Sequence, residues 1–479
     1  MKQKLIWMLS GLCLLSLACS RGSSSDNSYL LGDPSQKRPL DLSEYQTKNS
    51  DVIVQLFNWT FEAIEREIPF LADKGYAQIH VSPPQLSIDS RAWWGRYQPV
   101  DYRVIDGPLG NEVQFKRMID AAHRKGIKII VDLVLNHTAN PDSPLPAVAK
   151  ELAAQDPLFT AGDYHQDPCI SDYNSVDQVR SGRMCGGSGD KGLPDLNQSS
   201  NQVLKRQKDY LLKLMGLGAD GFRIDAIKHM EPAYFARLFT PDIRKGRLVF
   251  GEIIADASAY DRDIKPYLES NEFAYYDFPL RDTVQKAFGI GGDLSVLGDS
   301  AALRNGKKEL PLDRSITFVM NHDIPNNAGF RSMILESSDE ALAYAYLLGR
   351  GEGIPYVYSD QGIDREAGLV DSRWAHYHRR PDVQSMVFFH NATSGESATL
   401  VSADVCHIAI QRGSRGLLAI NKCGDAIDKF VKAPFPLGHE LQDVLGASET
   451  IQIEGEYLHL VIPPRSAVML LDLAPFKRQ

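Results

Sequence analysis

The sequence predicts an α/β fold, a (β/α)8 barrel with a small domain inserted after its third strand and a C-terminal antiparallel β-sandwich domain. Three observations carry this. From Ser50 onward, short β-rich apolar runs alternate with amphipathic segments, giving about eight strands over about 310 residues. Polar residues recur at the carboxyl ends of many of these runs, and a stretch rich in Pro, Gly, Asp and Ser breaks the rhythm once, between His137 and Leu196. An open doubly wound sheet is the competing architecture, but the chain has no GxGxxG turn.

Taken in order, residues 1–19 read as an export signal: Lys2 and Lys4, then an apolar run from Leu5 to Leu17, then Ala18 before Cys19. The "LSLAC" end resembles a bacterial lipobox, in which Cys19 becomes the acylated N-terminus. Ser16 stands where that pattern prefers a branched aliphatic residue, so a plain secretory signal remains the alternative. Residues 20–49, polar and opening on "SRGSSSDNS", read as a flexible tether. Expected localisation is therefore the cell envelope, as a membrane-anchored lipoprotein, or else the medium.

The barrel is expected over residues 50–137 and 196–379, with strands in "DVIVQLF", "AQIHVSP", "IKIIVDLVLNH", "GFRIDA", "RLVFGEII", "EFAYYDFPL", "SITFVMNHD" and "IPYVYSD". Residues 138–195 form the inserted domain. Residues 380–479, with runs such as "SMVFFHN", "CHIAIQRG" and "SAVMLLDL", form the C-terminal β-domain.

With 479 residues, 43% of them hydrophobic and a net charge of −9, the chain is a globular multidomain protein with no basic field for a polyanion, which argues against nucleic acid. A neutral or small substrate fits better, and a monomer is expected. Outside the leader, Cys169 and Cys185 lie close together, as do Cys406 and Cys423. In an oxidising compartment two local disulfides follow, each contributing roughly 2–4 kcal/mol; a zinc site is the alternative, without a CxxC spacing to support it.

The strand ends carry Asn136 and His137 (third), Arg223, Asp225, Lys228 and His229 (fourth), Glu252 (fifth), and Asn321, His322 and Asp323 (seventh). In a barrel these ends form one face, so three carboxylates share one pocket. Glycoside cleavage needs one carboxylate at the oxocarbenium-like carbon and one acid for the leaving oxygen. Arg223 projects to the same side as Asp225 and is suited to keep it ionised, although an Arg and an Asp on one strand face can also be a purely structural pair.

Four segments in order, "DLVLNH", "GFRIDAIKH", "FGEII" and "FVMNHD", with "LPDLN" and "GYAQIHVSPP" as accessory ones, resemble the motifs of the alpha-amylase family of glycoside hydrolases. The resemblance implies the barrel with an inserted domain and a β-sandwich. It also implies Asp225 as nucleophile, Glu252 as general acid and base, and Asp323 as the group that holds sugar hydroxyls and favours ring distortion, with retention of the α-anomer. It further implies that Arg223 orients Asp225, that His137 and His322 bind hydroxyls at the cleavage point, and that Lys228 and His229 lie on the reducing-end side. "WWGRYQPVDYRV" is similar to a segment of animal-type members and offers Trp93, Trp94 and Tyr97 as stacking platforms; a packing cluster at the barrel rim is the alternative.

The same resemblance implies a structural Ca2+ held by Asn136, Asp195 and the backbone oxygens of Arg180 and His229. It does not extend to chloride: Arg223 and Asn321 are present, but Tyr356 stands at the third ligand position, Arg350 is out of register, and "IPNNAGF" replaces a glycine-rich loop, so no chloride is expected. The expected activity is endo-hydrolysis of α-1,4 bonds in starch, glycogen or maltodextrins. A cyclodextrin or oligosaccharide hydrolase, or a transglycosylase, shares these motifs. A non-catalytic glycan-binding protein would be expected to lack a carboxylate, and all three are present.

Overall fold

The computed structural model describes residues 38–478 except 188, 362, 365–368 and 371–372, with backbone only at 363–364 and 369–370. The leader and Cys19 lie outside the described residues.

Eight parallel strands close into a barrel: β1 (Ile53–Phe57), β2 (Gln78–Val81), β3 (Lys128–Leu133), β4 (Gly221–Ile224), β5 (Leu248–Gly251), β6 (Ala274–Tyr276), β7 (Ser315–Phe318) and β8 (Ile354–Asp360). They follow sequence order around the barrel, and Ile53 lies opposite both Gln78 and Tyr356, which closes the ring. All eight fall within the runs expected from the sequence. Strands covered on both faces read as near-continuous apolar segments, as in the wholly buried "IVQLF" of β1.

Helices cover the outside, and their ends are written in local chemistry. In α1 (Phe61–Asp73) the Thr60 hydroxyl accepts from the Ala63 amide, and α2 (Glu112–Arg124) opens on a reciprocal Asn111–Gln114 capping box. α3 (Asn201–Leu217) stops at Gly218, whose φ of 107° and whose approach to Ile119, 2.8 Å from where a Cβ would stand, leave room only for glycine. α4 (Phe278–Phe288) and α5 (Ser337–Gly349) follow β6 and β7.

The inserted domain leaves and rejoins the barrel at an antiparallel bridge between His137 and Asp195, where the Thr138 amide also donates to Pro194 O at 3.0 Å. Within it Cys169 and Cys185 form a disulfide. These contacts make a physical neck between the barrel and the segment that follows β3.

Two expectations need correction. "SMVFFHN" is not a β-run but lies within helix α6 (Pro381–Ala392), started by Pro381 in its first turn. Ten of its residues are buried, so no polar stripe betrays the helical period. The β-domain accordingly begins at Ala398 rather than at 380. Residues 38–49 are likewise not a free tether. Leu40 N donates to Val444 O, Gln46 N donates to Phe476 O, and Tyr45 bridges Lys477, because Leu40, Leu42 and Tyr45 pack against the main core.

The C-terminal domain comprises β9 (Ala398–Ala403), β10 (His407–Arg412), β11 (Gly416–Asn421), β12 (Ile427–Lys432), β13 (Glu440–Asp443), β14 (Ile451–Gln452), β15 (Tyr457–Ile462) and β16 (Ser466–Leu471). A six-stranded sheet ordered β9-β10-β11-β16-β13-β14 faces the antiparallel pair β12-β15, with Leu417, Val431, Leu460 and Val468 among the residues of the core between them. Cys406 and Cys423 are joined, as expected. Beside Cys423, Lys422 Nζ donates to three carbonyls at the end of α4, Ala287 at 2.7 Å, Gly289 at 3.1 Å and Gly292 at 2.7 Å. Arg412 similarly donates to Gly349 O and Thr393 O, at the ends of α5 and α6.

Candidate active site

The cleft is built at the carboxyl ends of the strands. Beyond β4, Asp225 N still donates to Leu133 O at 2.9 Å, after which Ala226 adopts a left-handed φ of 47° and throws the chain into the short turn Ile227–His229. That reversal brings Lys228 and His229 to the same cleft as Asp225. On β5, a Cβ at Gly251 would stand 2.8 Å from Ile227; glycine there lets the turn pack against the strand just before Glu252.

Arg223 lies fully buried beneath the cleft. Its Nη1 donates to Asp132 Oδ1 and to Asp225 Oδ1, each at 2.8 Å, and its Nη2 lies 2.7 Å from Glu252 Oε1. One guanidinium thus serves three carboxylates, which limits what any one of them receives. Burial and the charges of Glu252 and Asp132 push Asp225 up to about 7, against the pull of Arg223. Asp323 is raised well above the usual range by burial and by Glu252, again against Arg223. Asp132 goes the other way, held below the ordinary range against its burial by Arg223 and His80.

Aromatic rings form one side of the site. The His322 ring is sandwiched between Phe57, with centroids 4.7 Å apart, and Tyr97, 5.0 Å away and 8° from parallel. Gln55 Nε2 donates to His322 Nδ1 at 3.0 Å, leaving Nε2 3.6 Å from Asp323 Oδ2. Burial and Arg223 hold His322 neutral. The opening is a cleft of about 550 Å³, lined by the three carboxylates together with Trp93, Trp94, Tyr97, His137, Lys228, His229 and His322. Trp94 is 44% exposed at its edge. Every expected substrate residue thus borders this one space except Arg223, which lies under it. His137 donates from Nε2 to Tyr97 O at 2.9 Å, Lys228 Nζ lies 5.8 Å from the Tyr173 ring, and His229 donates from Nδ1 to Val179 O.

At the neck of the inserted domain, Asn136 Nδ2 donates to Asp195 Oδ1 at 2.9 Å, while His165 lies 2.7 Å from the other oxygen. Asn136 Oδ1 is buried with no hydrogen-bond partner, and burial raises Asp195 to about 6. An unmatched amide oxygen beside a desolvated carboxylate is a donor set suited to a hard cation. The helix bearing Arg180 (Val176–Ser181) packs on the turn that bears His229. Among the described residues, no three His, Cys, Asp or Glu side chains cluster as metal ligands, so such an ion would depend on backbone oxygens as well.

Some participants had no assigned role in the sequence. Asp132 heads the "DLVLNH" segment, and His80, Nε2 3.5 Å from Asp132 Oδ2, stands in "AQIHVSP"; both were visible only as strand residues. Tyr173 and Phe330 also line the cleft, from segments without a recognisable signal. Arg350 stays away from the site: it pairs with Glu309 and Glu352, next to the start of β8.

The alpha-amylase catalytic-domain profile matches residues 60–398. The chain is 38% identical over 445 residues to an alpha-amylase of Aeromonas hydrophila, covering 87% of this chain and 94% of that protein. It is 30% identical over 429 residues to an alpha-amylase of Streptomyces violaceus, covering 85% and 71%. Among solved structures, wild-type alpha-amylase I from Eisenia fetida superposes with a TM-score of 0.73 at 24% identity, over 91% of this chain and 99% of that one. CldA, described as a cyclomaltodextrin glucanotransferase with a three-domain ABC distribution, superposes at 0.70 with 22% identity, over 89% and 99%. At these identities the two structures attest the fold.

Proposed function

The chain belongs to the alpha-amylase family of glycoside hydrolases, and from that premise we propose that it cleaves internal α-1,4-glucosidic bonds of starch, glycogen or maltodextrins with retention. The observation that carries the reading is the convergence of Asp225, Glu252 and Asp323 on one cleft above a shared arginine. Asp225, aimed by Arg223, attacks the anomeric carbon while Glu252 protonates the departing oxygen; a water activated by Glu252 then releases the glycosyl group. Asp323, whose high proton affinity lets it donate, holds sugar hydroxyls together with His322 and His137. Trp93, Trp94 and Tyr97 offer flat apolar surfaces to glucose rings, and Lys228 and His229 serve the leaving-group side.

Asn136, Asp195 and the carbonyls of Arg180 and His229 would hold Ca2+, which when bound ties the inserted domain to the barrel. Hydrolysis is proposed to be independent of chloride, since the third ligand position is Tyr356, whose hydroxyl already engages His80 Nδ1 at 2.8 Å. Export is supported by the leader and by two disulfides. Anchoring through Cys19 is tested by palmitate labelling, which Cys19→Ser should abolish. No described helix is long and apolar enough to cross a membrane.

A second reading, transglycosylation or cyclodextrin hydrolysis, is favoured by the apolar residues Tyr173, Ile254 and Phe330 around the cleft. Incubation with starch and with cyclodextrin, following product length and anomer, separates the two. Rapid loss of polymer size with α-products supports the first; cleavage of cyclodextrin alone, or new longer chains, supports the second.

A further inference from the structure

We propose that Asp132, held by the Tyr97 hydroxyl and flanked by His80, is a positioning residue that divides the charge of Arg223 with Asp225 and so sets the acidic limb of hydrolysis. The proposal rests on the hydrolase reading of the cleft. Asp132 does not border the cleft; it lies wholly buried on β3, one layer below. Arg223 Nη1 nevertheless gives one hydrogen to Asp132 Oδ1 and the other to Asp225 Oδ1, at the same 2.8 Å. The two carboxylates compete for one cation, and their surroundings decide the division.

Those surroundings favour Asp132. Its other oxygen accepts from the Tyr97 hydroxyl at 2.8 Å and lies 3.5 Å from His80 Nε2, while His80 Nδ1 meets the Tyr356 hydroxyl at 2.8 Å. Burial keeps His80 neutral, so β2 and β8 supply dipoles rather than a second cation. The remaining titratable groups around the pair are Glu252 just beyond β5, Tyr276 on β6 and His322 and Asp323 after β7, with Tyr210 on α3; Arg223 is the only cation among the groups named. Asp132 accordingly stays ionised at low pH, while Asp225 is pushed up to about 7 in part by the Asp132 charge. Because the nucleophile must be ionised, the acid limb of kcat/KM reports this division, within a coupled set of carboxylates.

The test is the pH profile of kcat/KM on a defined maltooligosaccharide for the full chain, with melting midpoints measured on the same samples. Asp132→Asn removes a negative charge but keeps the shape, so Asp225 gains a larger share of Arg223 and the acid limb moves down by about one pH unit. His80→Leu has the opposite sign: Asp132 loses a polar neighbour, leans harder on Arg223, and the limb moves up by about half a unit. His80→Gln, able to donate to the same oxygen, restores the wild-type limb. A folded Asp132→Asn with an unmoved limb overturns the proposal, and so does a loss of rate in equal proportion at every pH. If Asp132→Asn does not fold, the His80 pair decides, and equal limbs in His80→Leu and wild type overturn the proposal. A wild-type chain that releases no reducing ends from starch defeats the hydrolase reading itself; an active wild type with unmoved variants defeats only the role given to Asp132.

Discussion

Arg223 Nη2 lies 2.7 Å from Glu252 Oε1, so the guanidinium that holds Asp225 beyond one strand also meets Glu252 beyond the next. Arg223 therefore positions Asp132, Asp225 and Glu252 together, and changes at this residue act on all three carboxylates at once.

Arg223→Lys retains the charge but loses the fork, and one ammonium cannot reach three carboxylates in this geometry. The expected loss in kcat on starch is about 10²–10³-fold. Arg223→Ala leaves buried carboxylates unpaired and should destabilise by about 3–5 kcal/mol, read by chemical denaturation. A lysine variant within a few-fold of wild type would show that the fork is not needed.

Glu252→Gln keeps the shape of the acid without its transferable proton. Hydrolysis of starch should fall by about 10²–10⁴-fold while the melting midpoint stays near that of wild type. Glucosyl fluoride, whose leaving group needs no protonation, should recover much of the first chemical step in Glu252→Gln but none of it in Asp225→Asn. Equal behaviour of the two variants on the fluoride would contradict the division of roles.

Asp225 is raised from 3.8 to about 7 in the folded chain, so the fold binds its proton more tightly than the unfolded chain does. Its contribution to stability is fully present below pH 3.8 and is lost as pH rises through about 7. Asp225→Asn, which never ionises, should melt close to wild type near pH 4 and above wild type at pH 8. Midpoints that differ by the same amount at both pH values would mean that Asp225 is not under this strain.

Chelation should lower the melting midpoint of wild type, and added Ca2+ should restore it. A site saturated at one hundred times its dissociation constant contributes about 2.7 kcal/mol. Asn136→Ala and Asp195→Asn should lose this response. A midpoint indifferent to chelator in wild type would remove calcium from the account of the neck between the inserted domain and the barrel.

Much of this arrangement is legible in the chain because barrel strands announce themselves by uninterrupted apolar runs, and polar residues at their carboxyl ends have nowhere to go but the cleft. Asp225, Glu252, Asp323, His137 and His322 were found on that ground. Helix α6 was misread because packing on all sides erased its polar face, and the docked segment 38–49 because Leu40, Leu42 and Tyr45 are spaced among polar residues without a period. Asp132 and His80 carried no role because a strand residue facing the barrel interior is indistinguishable, in one dimension, from one facing the helices. Tyr173 reaches the cleft from an irregular loop of the inserted domain, where only the tertiary fold brings it near Lys228.

Lys422 gathers three carbonyls at the end of α4 around one ammonium, as a bound metal ion would in another protein. For protein engineering this makes the β-domain a poor candidate for deletion. A barrel trimmed near residue 398 would keep every residue of its cleft yet expose a helix end built around a lysine it no longer owns.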